Sequence, residues 1–298
     1  EAAYVPGGFP RALSPGDSVA PRVNALRSAQ DIGLPYDYYS LPVCAPPGGT
    51  APVRESLGEW FIGGRIRPSP FVFTVPPEGP QSDTPAVDLG GGAQGGPKSV
   101  QPVGLCEIEV GPEEAADLRE KIREGYRVSL SLDNLPVTKY DVETVMRETR
   151  SSGGKVRFER VGRGFNLGTK AQKRGPGPGD ILETSPEILL VNNFFIFNVL
   201  MHPSQVEPGK FNVVGFEVRP CSLSNSHMEA LTAEDAGPAS EKARLALESL
   251  CAQDPFAKDT GLTVDDVMEA KAGTLRYGYA VHFTLSEITW GERWEPFL

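Results

Sequence analysis

Histidine is the side chain best suited to proton transfer near neutral pH, and this chain has only three: His202, His227 and His282. A Ser-His-Asp or Cys-His arrangement would have to include one of them, and no Gly-x-Ser-x-Gly elbow is present. His282 falls on the polar side of a predicted strand, where a histidine is most simply an exposed or edge residue. The sequence therefore predicts no catalytic residue, and we expect a protein that is not an enzyme.

Metal and cofactor sites need ligands or glycines at characteristic spacings. No two His or Cys residues share a zinc-type ligand spacing, and no Cys-x-x-Cys occurs. The segment Gly162–Gly168 (GRGFNLG) lacks the glycine spacing of a dinucleotide loop, and no Gly-Lys-Ser/Thr P-loop is present. We expect no metal and no cofactor, and we interpret Gly162–Gly168 as a turn that needs a flexible backbone.

The segment Ser131–Val137 (SLDNLPV) places Asp133 and Asn134 just before Pro136. Asp and Asn side chains bond nearby backbone N–H groups, so this pattern predicts a turn. A ligand-binding role for the two polar side chains is the alternative interpretation.

The chain has four cysteines, Cys44, Cys106, Cys221 and Cys251. An even number suits two disulfides, and the residues alone leave all three pairings open. No Asn-x-Ser/Thr acceptor for N-glycosylation accompanies them, so this count does not fix the redox compartment.

The formal net charge of −10 argues against nucleic acid as a partner, because phosphate binding needs clustered positive charge. The charge is uneven: residues 147–174 hold nine Lys/Arg against two acids, and residues 229–271 hold ten Asp/Glu against four bases. We interpret both tracts as solvated, mobile insertions. The alternatives are that the two tracts pair, or that the basic one contacts anionic head groups or acidic glycans.

The elements that would carry these residues are mostly strands. Apolar residues alternate strictly from Leu275 to Leu285, and Phe211–Val218 is a second strand candidate. The apolar run Ile188–Met201 is interrupted by asparagines and is too short to span a membrane, so it predicts two buried strands. Gly111 and Pro112 begin the clearest helix, which ends near Glu124.

Glycine (33) and proline (28) are abundant, which favours turns over long helices. Residues 76–103 hold six Gly and six Pro, so we expect flexible insertions at about 76–103 and 229–271 within one domain, 1–298. The predicted fold class is mainly β: an antiparallel β-sandwich-like domain with one or two short helices and long loop insertions. The first residue is Glu1, so we expect that a signal peptide was either removed or never present.

The last residues hold two tryptophans four positions apart, Trp290 and Trp294, followed by Phe297 and Leu298. Tryptophan is favoured at membrane–water interfaces because its ring is apolar while its N–H stays wet. The equal alternative is that both rings cap the end of a β-domain core.

Several segments, taken in order, resemble those of the nonaspanin ectodomain, from the transmembrane nine superfamily of endomembrane protein 70 type. They span nearly the whole chain: Tyr4–Gly7, Gly16–Val19, Pro35–Cys44, Ser56–Phe73, Gly104–Cys106, Tyr126–Val137, Gly164–Gly168, Asn192–Asn193 with His202, Val214–Pro220 and Ser286–Leu298. Each motif is weak alone, and the ordered series makes the resemblance strong.

The resemblance implies a non-enzymatic lumenal ectodomain, preceded by a cleaved signal peptide and followed by nine membrane helices after Leu298. It implies sorting, trafficking or surface delivery of client membrane proteins, and adhesion, at Golgi or endosomal membranes. It also implies the disulfides Cys44–Cys106 and Cys221–Cys251. Trp290 and Trp294 would then lie at the membrane interface.

Two other function classes are weighed against this one. A secreted carbohydrate-binding β-sandwich would use the aromatic segment Tyr36–Tyr39 as its platform. A hydrolase on a β scaffold is disfavoured because no nucleophile or paired-carboxylate motif is present. The gene sequence beyond Leu298 separates these hypotheses. Nine apolar segments of about 20 residues would support the nonaspanin ectodomain, and a stop codon would support the secreted carbohydrate-binding module.

Overall fold

The computed structural model describes residues 11–28, 35–52, 66–81, 102–139, 164–171, 187–233, 251 and 268–297. Within them the chain is mainly β, as predicted. The strands are β1 (Ala12–Leu13), β2 (Ser18–Val19), β3 (Arg22–Val23), β4 (Arg67–Pro68), β5 (Phe73–Thr74), β6 (Val103–Val110), β7 (Arg127–Val128), β8 (Leu130–Leu132), β9 (Leu135–Pro136), β10 (Thr138–Lys139), β11 (Phe165–Asn166), β12 (Gly168–Ala171), β13 (Ile188–Val191), β14 (Phe194–Pro203), β15 (Phe211–Cys221) and β16 (Gly273–Leu285). The helices are α1 (Pro112–Arg123), α2 (Asn225–Thr232) and two 3-10 turns (Tyr38–Ser40, Glu295–Phe297).

The largest sheet has the strand order β1-β15-β14-β16-β6, and β10 also pairs with β15. Most neighbours are antiparallel, but β14 with β16 and β10 with β15 run parallel, so this sheet is mixed where the sequence predicted an antiparallel one. Parallel neighbours need a long crossover between them. The chain between β15 and β16 holds α2 and is long enough to supply it.

Strand β16 is central, as the alternation of its side chains predicted. It pairs with β14 on one side and with β6 on the other. Leu275, Tyr277, Tyr279 and Phe283 point into the main core. The opposite face is also covered at mid-strand, where a Cβ on Gly278 would lie 2.8 Å from a methyl carbon of α2. The pattern therefore identified one buried face and missed the cover on the other.

The apolar run predicted to be two strands is β13 and β14. Asn193 between them is fully buried and satisfies both ends of its amide: Nδ2 donates to the carbonyls of Leu223 and Arg276, and Oδ1 accepts from Leu223 N–H. Asn192 Nδ2 donates to the Asn166 carbonyl. The asparagines that interrupt this run thus join neighbouring segments of the chain, as buried amides must.

Helix α1 begins where the sequence predicted. Gly111 is its N-cap, and Glu114 Oε2 accepts a 2.8 Å hydrogen bond from Gly111 N–H. Ala115, Leu118 and Ile122 form its buried stripe. Proline at the first position costs no hydrogen bond, because that N–H has no partner within a helix.

Apolar residues of the described chain form two clusters. The main core joins one face of the largest sheet to the four-stranded sheet β4-β3-β8-β9, and aromatic rings dominate it; they include Phe71, Phe73, Phe197, Phe216 and Tyr279. The second core is smaller. It lies on the opposite face of the sheet, where Met228 and Leu231 of α2 meet Phe194 and Ala280.

All four cysteines are paired, Cys44 with Cys106 and Cys221 with Cys251. The paired Cα atoms lie 5.9 Å and 4.4 Å apart. These are the pairings that the family resemblance implied.

Most of the two predicted insertions, and of the basic tract 147–174, lies outside the described residues. Of residues 76–103, the first part is described: Gly79 N–H bonds the Pro76 carbonyl in a turn, and Gln81 forms a bridge with Thr284 of β16. Residues 229–232 complete α2, and Ala233 is its C-cap.

Candidate functional site

Residues 286–297, named here the C-terminal segment, fold back against the domain and form the candidate site. Ser286 N–H donates to the Met201 carbonyl at 2.8 Å, and His202 Nδ1 lies 2.9 Å from the Ser286 carbonyl oxygen. Further along, Glu292 Oε2 accepts from both the N–H and the hydroxyl of Thr289, which lowers the pKa of the Glu292 carboxyl. The segment is therefore held by polar contacts from its first residue.

Arg293 anchors this segment in the domain, and its side chain is only 2% exposed. Its Nη1 donates to Asp133 Oδ2 at 2.7 Å and to the Val213 carbonyl at 3.1 Å, and the guanidinium lies 4.6 Å from the Trp290 ring centre. A guanidinium keeps its charge at any ordinary pH, so its burial is tolerated only when it is paired in this way. We name the Arg293–Asp133 pair the arginine anchor.

Asp133 is positioned by the turn between β8 and β9. Asp133 (φ 47°) and Asn134 (φ 67°) both adopt the left-handed conformation, which Asp and Asn tolerate better than most residues. Positive φ at both central residues is the signature of the two-residue hairpin turn. The turn predicted from the sequence is present. The Asp133 carboxylate forms an ion pair with Arg293 of the same chain.

The two tryptophans predicted at the membrane interface sit on either side of the arginine anchor. Both side chains are half-buried: Trp294 packs against the main core and contacts Phe297 edge-on with ring centres 5.8 Å apart. The N–H groups of Trp290 and Trp294 are shielded and have no hydrogen-bond partner among the described residues. Each ring thus lies partly in the domain and partly at its surface. This position is intermediate between the two alternatives from the sequence, a membrane interface and a cap on the core.

A second buried ionisable residue lies on the opposite face of the largest sheet. Glu217 Oε2 accepts from Asn198 Nδ2 at 3.0 Å, and Asn198 Oδ1 accepts from the Thr284 hydroxyl at 2.8 Å. We name Glu217, Asn198 and Thr284 the polar row, because they cross three adjacent strands. Burial raises the pKa of the Glu217 carboxyl, and the hydrogen bond from Asn198 opposes part of this shift.

Sequence reasoning missed both buried charges. Arg293 lies three residues after Trp290, a spacing that allows stacking within a turn, and this was the available signal for it. Glu217 lies inside the strand predicted at Phe211–Val218, but no pattern indicated that its face is covered.

The structure keeps the three histidines apart. His202 contacts the C-terminal segment, His227 Nδ1 lies 2.9 Å from the Ser224 hydroxyl, and His282 stands opposite Asn198 in the β14–β16 register. Ser224 is the N-cap of α2, so its hydroxyl serves the helix end. Among the described residues, no group of three His, Cys, Asp or Glu side chains could hold a metal ion.

The aromatic segment Tyr36–Tyr39 is engaged inside the domain. The Tyr36 hydroxyl donates to Asp117 Oδ2 at 2.8 Å, and the ammonium of Lys121 lies 4.8 Å from the Tyr36 ring centre. Tyr38 is buried, and the Tyr39 hydroxyl donates to a backbone carbonyl. A sugar-binding platform needs exposed ring faces, so this segment does not have the expected geometry.

Comparison with known proteins identifies the family. The family model described as endomembrane protein 70 matches residues 35–298. Transmembrane 9 superfamily member 10 of Arabidopsis thaliana is 30% identical over 296 residues, covering 99% of this chain and 38% of that protein. Transmembrane 9 superfamily member 4 of Homo sapiens is 28% identical over 303 residues, with the same coverage. No solved structure matches at a significant level.

The chain spans about two fifths of the length of these relatives. Within the described ranges, every helix is too short or too polar to cross a bilayer. The match of the family model over most of the chain and the relatives aligned along its whole length agree with the resemblance seen in the ordered motifs. The chain belongs to the endomembrane protein 70 family, the transmembrane 9 superfamily.

Proposed function

We propose that this chain is the lumenal, non-enzymatic domain of a nine-spanning membrane protein that sorts, traffics or delivers client membrane proteins and acts in adhesion. Its membranes are those of the Golgi or endosomes. The clients are membrane proteins, and the domain reaches them while attached to the bilayer by the membrane region that follows it.

One observation carries the proposal. The chain covers 38% of a relative whose name includes the word transmembrane, and the match extends along 99% of this chain. A membrane region in a relative of this kind has room in the remaining three fifths of its length. The domain described here is then the part that stands outside the bilayer.

The disulfides support a lumenal position. Two disulfides join all four cysteines, and such bonds persist in oxidising compartments and are rare in the cytosol. The lumen of the secretory pathway is such a compartment. Cytosolic exposure would instead keep these thiols reduced.

The C-terminal segment supports attachment at this end of the domain. The arginine anchor ties the C-terminal segment to the β8–β9 turn, and the half-buried tryptophans flank Arg293 in the sequence. Tryptophan rings of this kind suit the boundary between a protein, water and lipid head groups. An anchored C-terminal segment of this type gives a following membrane region a fixed point of attachment on the domain.

The carbohydrate-binding alternative lacks a comparable observation, because the Tyr36–Tyr39 side chains contact their own domain. Recognition of clients then depends on surfaces of the domain and on its membrane region.

The test has a topological and a functional arm. The gene is read beyond Leu298 for nine apolar segments of about 20 residues. An epitope tag inserted next to residue 1 is probed with protease in intact Golgi and endosomal vesicles. We expect protection of the tag until detergent is added. Digestion of the tag in intact vesicles contradicts the lumenal assignment.

The functional arm removes the full-length protein and measures the surface level of membrane-protein reporters. We expect selected reporters to accumulate in the Golgi or in endosomes, and re-expression of the full-length protein to restore them. Unchanged delivery of every reporter in a broad panel contradicts the sorting role, even when the tag result supports the topology.

A further inference from the structure

A cavity of about 180 Å³ opens beside the arginine anchor. Its polar walls are Arg11, Arg22, Ser131, Asp133 and Asn134, and its remaining lining is apolar. A cavity of this size holds several water molecules, so it accommodates a small polar group.

The charges in this cavity are unbalanced. The Asp133 carboxylate is already bound to Arg293, whereas Arg11 and Arg22 are exposed and have no ion pair within the described ranges. Asp17 lies between these two arginines in the sequence, but it accepts a hydrogen bond from Ser14 N–H and is not part of the lining. Two arginines therefore line the cavity without an ion pair of their own among the described residues.

This arrangement stands out because the whole chain carries a net charge of −10. A planar guanidinium presents several N–H donors in a geometry that fits phosphate, often through two parallel bonds. Two neutral polar residues, Ser131 and Asn134, line the same cavity. The apolar remainder of the lining lets a ligand carry carbon next to its anionic end.

We propose that the Arg11–Arg22 cavity binds a phosphate group, and that in the membrane-attached protein this group is the head-group phosphate of an anionic lipid. The phosphate chemistry follows from the cavity alone. The lipid source rests on the proposed function, because the C-terminal segment next to the cavity then leads into the bilayer. Asp133 connects the two, since it lines the cavity and also holds Arg293.

The experiment uses the 298-residue chain and measures its flotation with vesicles. One set of vesicles is phosphatidylcholine alone, and the other is phosphatidylcholine mixed with phosphatidic acid. A parallel titration with inorganic phosphate, followed by calorimetry, tests the soluble form of the same chemistry. We expect binding to the phosphatidic acid vesicles, weakened by added salt and by inorganic phosphate.

The test variant is Arg11→Gln/Arg22→Gln. The matched control is Lys170→Gln/Lys271→Gln, which removes two positive charges from exposed lysines outside the cavity. Two lost charge-assisted contacts weaken binding by about tenfold in the test variant, while the control keeps the original affinity. Equal thermal melting of the three proteins shows that the loss does not come from unfolding.

Equal weakening in both variants overturns the proposal, because it indicates general attraction to an anionic surface. Absence of binding to both vesicles and phosphate overturns it as well. Binding of phosphate alone, lost in the arginine variant, supports the phosphate site and rejects the lipid source. Each of these results is independent of the protease-protection test, so failure of the site and failure of the proposed topology remain distinguishable.

Discussion

The two faces of the largest sheet are stabilised by different means. One face carries the main core, in which aromatic rings from several strands stack, and its one buried guanidinium among the described residues is paired with a carboxylate. The other face carries the smaller second core, the polar row and the Cys221–Cys251 disulfide. The main core contains a disulfide of its own, Cys44–Cys106, so the two faces differ in their polar groups: the first relies mainly on packed aromatic rings, and the second adds the polar row.

The difference teaches how each face handles a buried ionisable group. Arg293 cannot lose its charge, so it is found where a carboxylate, a carbonyl and an indole ring meet it. Glu217 can take up a proton, so an amide partner is sufficient and its pKa rises instead. A permanent charge thus requires a built pair, whereas a titratable one can be neutralised in place.

The largest effect is expected on the main core. Phe283 is 6% exposed there, so Phe283→Asp places an unpaired carboxylate among apolar side chains. We expect it to lower the free energy of unfolding by more than about 4 kcal/mol, measured by urea titration. The control Phe283→Leu keeps an apolar side chain and should lose about 1 to 2 kcal/mol. Similar losses of stability in both variants would contradict the assignment of Phe283 to the apolar main core.

Breaking the arginine anchor should have the next largest effect. Arg293→Met leaves the Asp133 carboxylate without its partner, and removing one member of a buried pair costs about 3–5 kcal/mol. The same urea titration measures the loss. The double variant Arg293→Met/Asp133→Asn should recover part of it, because no charge is then left unpaired. Arg123→Met, in an exposed ion pair, is the matched control and should change stability by less than about 1 kcal/mol.

Removal of the second disulfide tests the covalent part of the opposite face. The bond joins residues 30 positions apart, and Cys221→Ser/Cys251→Ser should lower the free energy of unfolding by about 2–4 kcal/mol. Hydrogen exchange should rise first around α2 and the end of β15, while the aromatic core stays protected. Equal loss of protection on both faces would show that the two cores unfold as one unit.

The smallest effect is expected for Glu217, and it is a change in how the stability of the protein depends on pH. Because its pKa is raised in the folded state, the folded protein holds this proton more tightly than the unfolded chain does. The stability associated with Glu217 is therefore fully present below the unfolded pKa and is lost as pH rises through the higher folded pKa. Glu217→Gln should remove this slope and make the protein more stable than the original chain at neutral pH.

Thermal melts of the original chain and of Glu217→Gln across the acidic to neutral range measure this effect. The difference between the two should grow with pH above the ordinary glutamate value. A constant difference would mean that Glu217 does not titrate in this range. The contribution of Glu217 alone therefore favours the folded state as pH falls.

Much of the scaffold could be predicted from the sequence because its signals are local. The alternation in β16, the caps of α1 and the Asp133–Asn134 turn each depend on residues close together in the chain. The order of the strands and the parallel pairing of β14 with β16 could not be predicted, because they depend on contacts between distant segments.

The candidate site was predicted only in part, for the same reason. Trp290 and Trp294 were predicted as site residues from their residue type. Arg293 and Glu217 were not, because a charged side chain predicts an exposed position. Their burial depends on partners such as Asp133, which is 160 residues from Arg293. No local pattern carries that information, and only the assembled sheet reveals it.

The position of β16 in the chain has a consequence for synthesis. Strand β6 (Val103–Val110) pairs with β16 (Gly273–Leu285), so it waits for the final part of the domain to be made. At about 5–20 residues per second, that delay is on the order of ten to thirty seconds. Strand β14 waits for the same partner. Until β16 is made, the strand edges that it will cover are exposed to other chains, and its insertion covers one edge of β14 and one edge of β6.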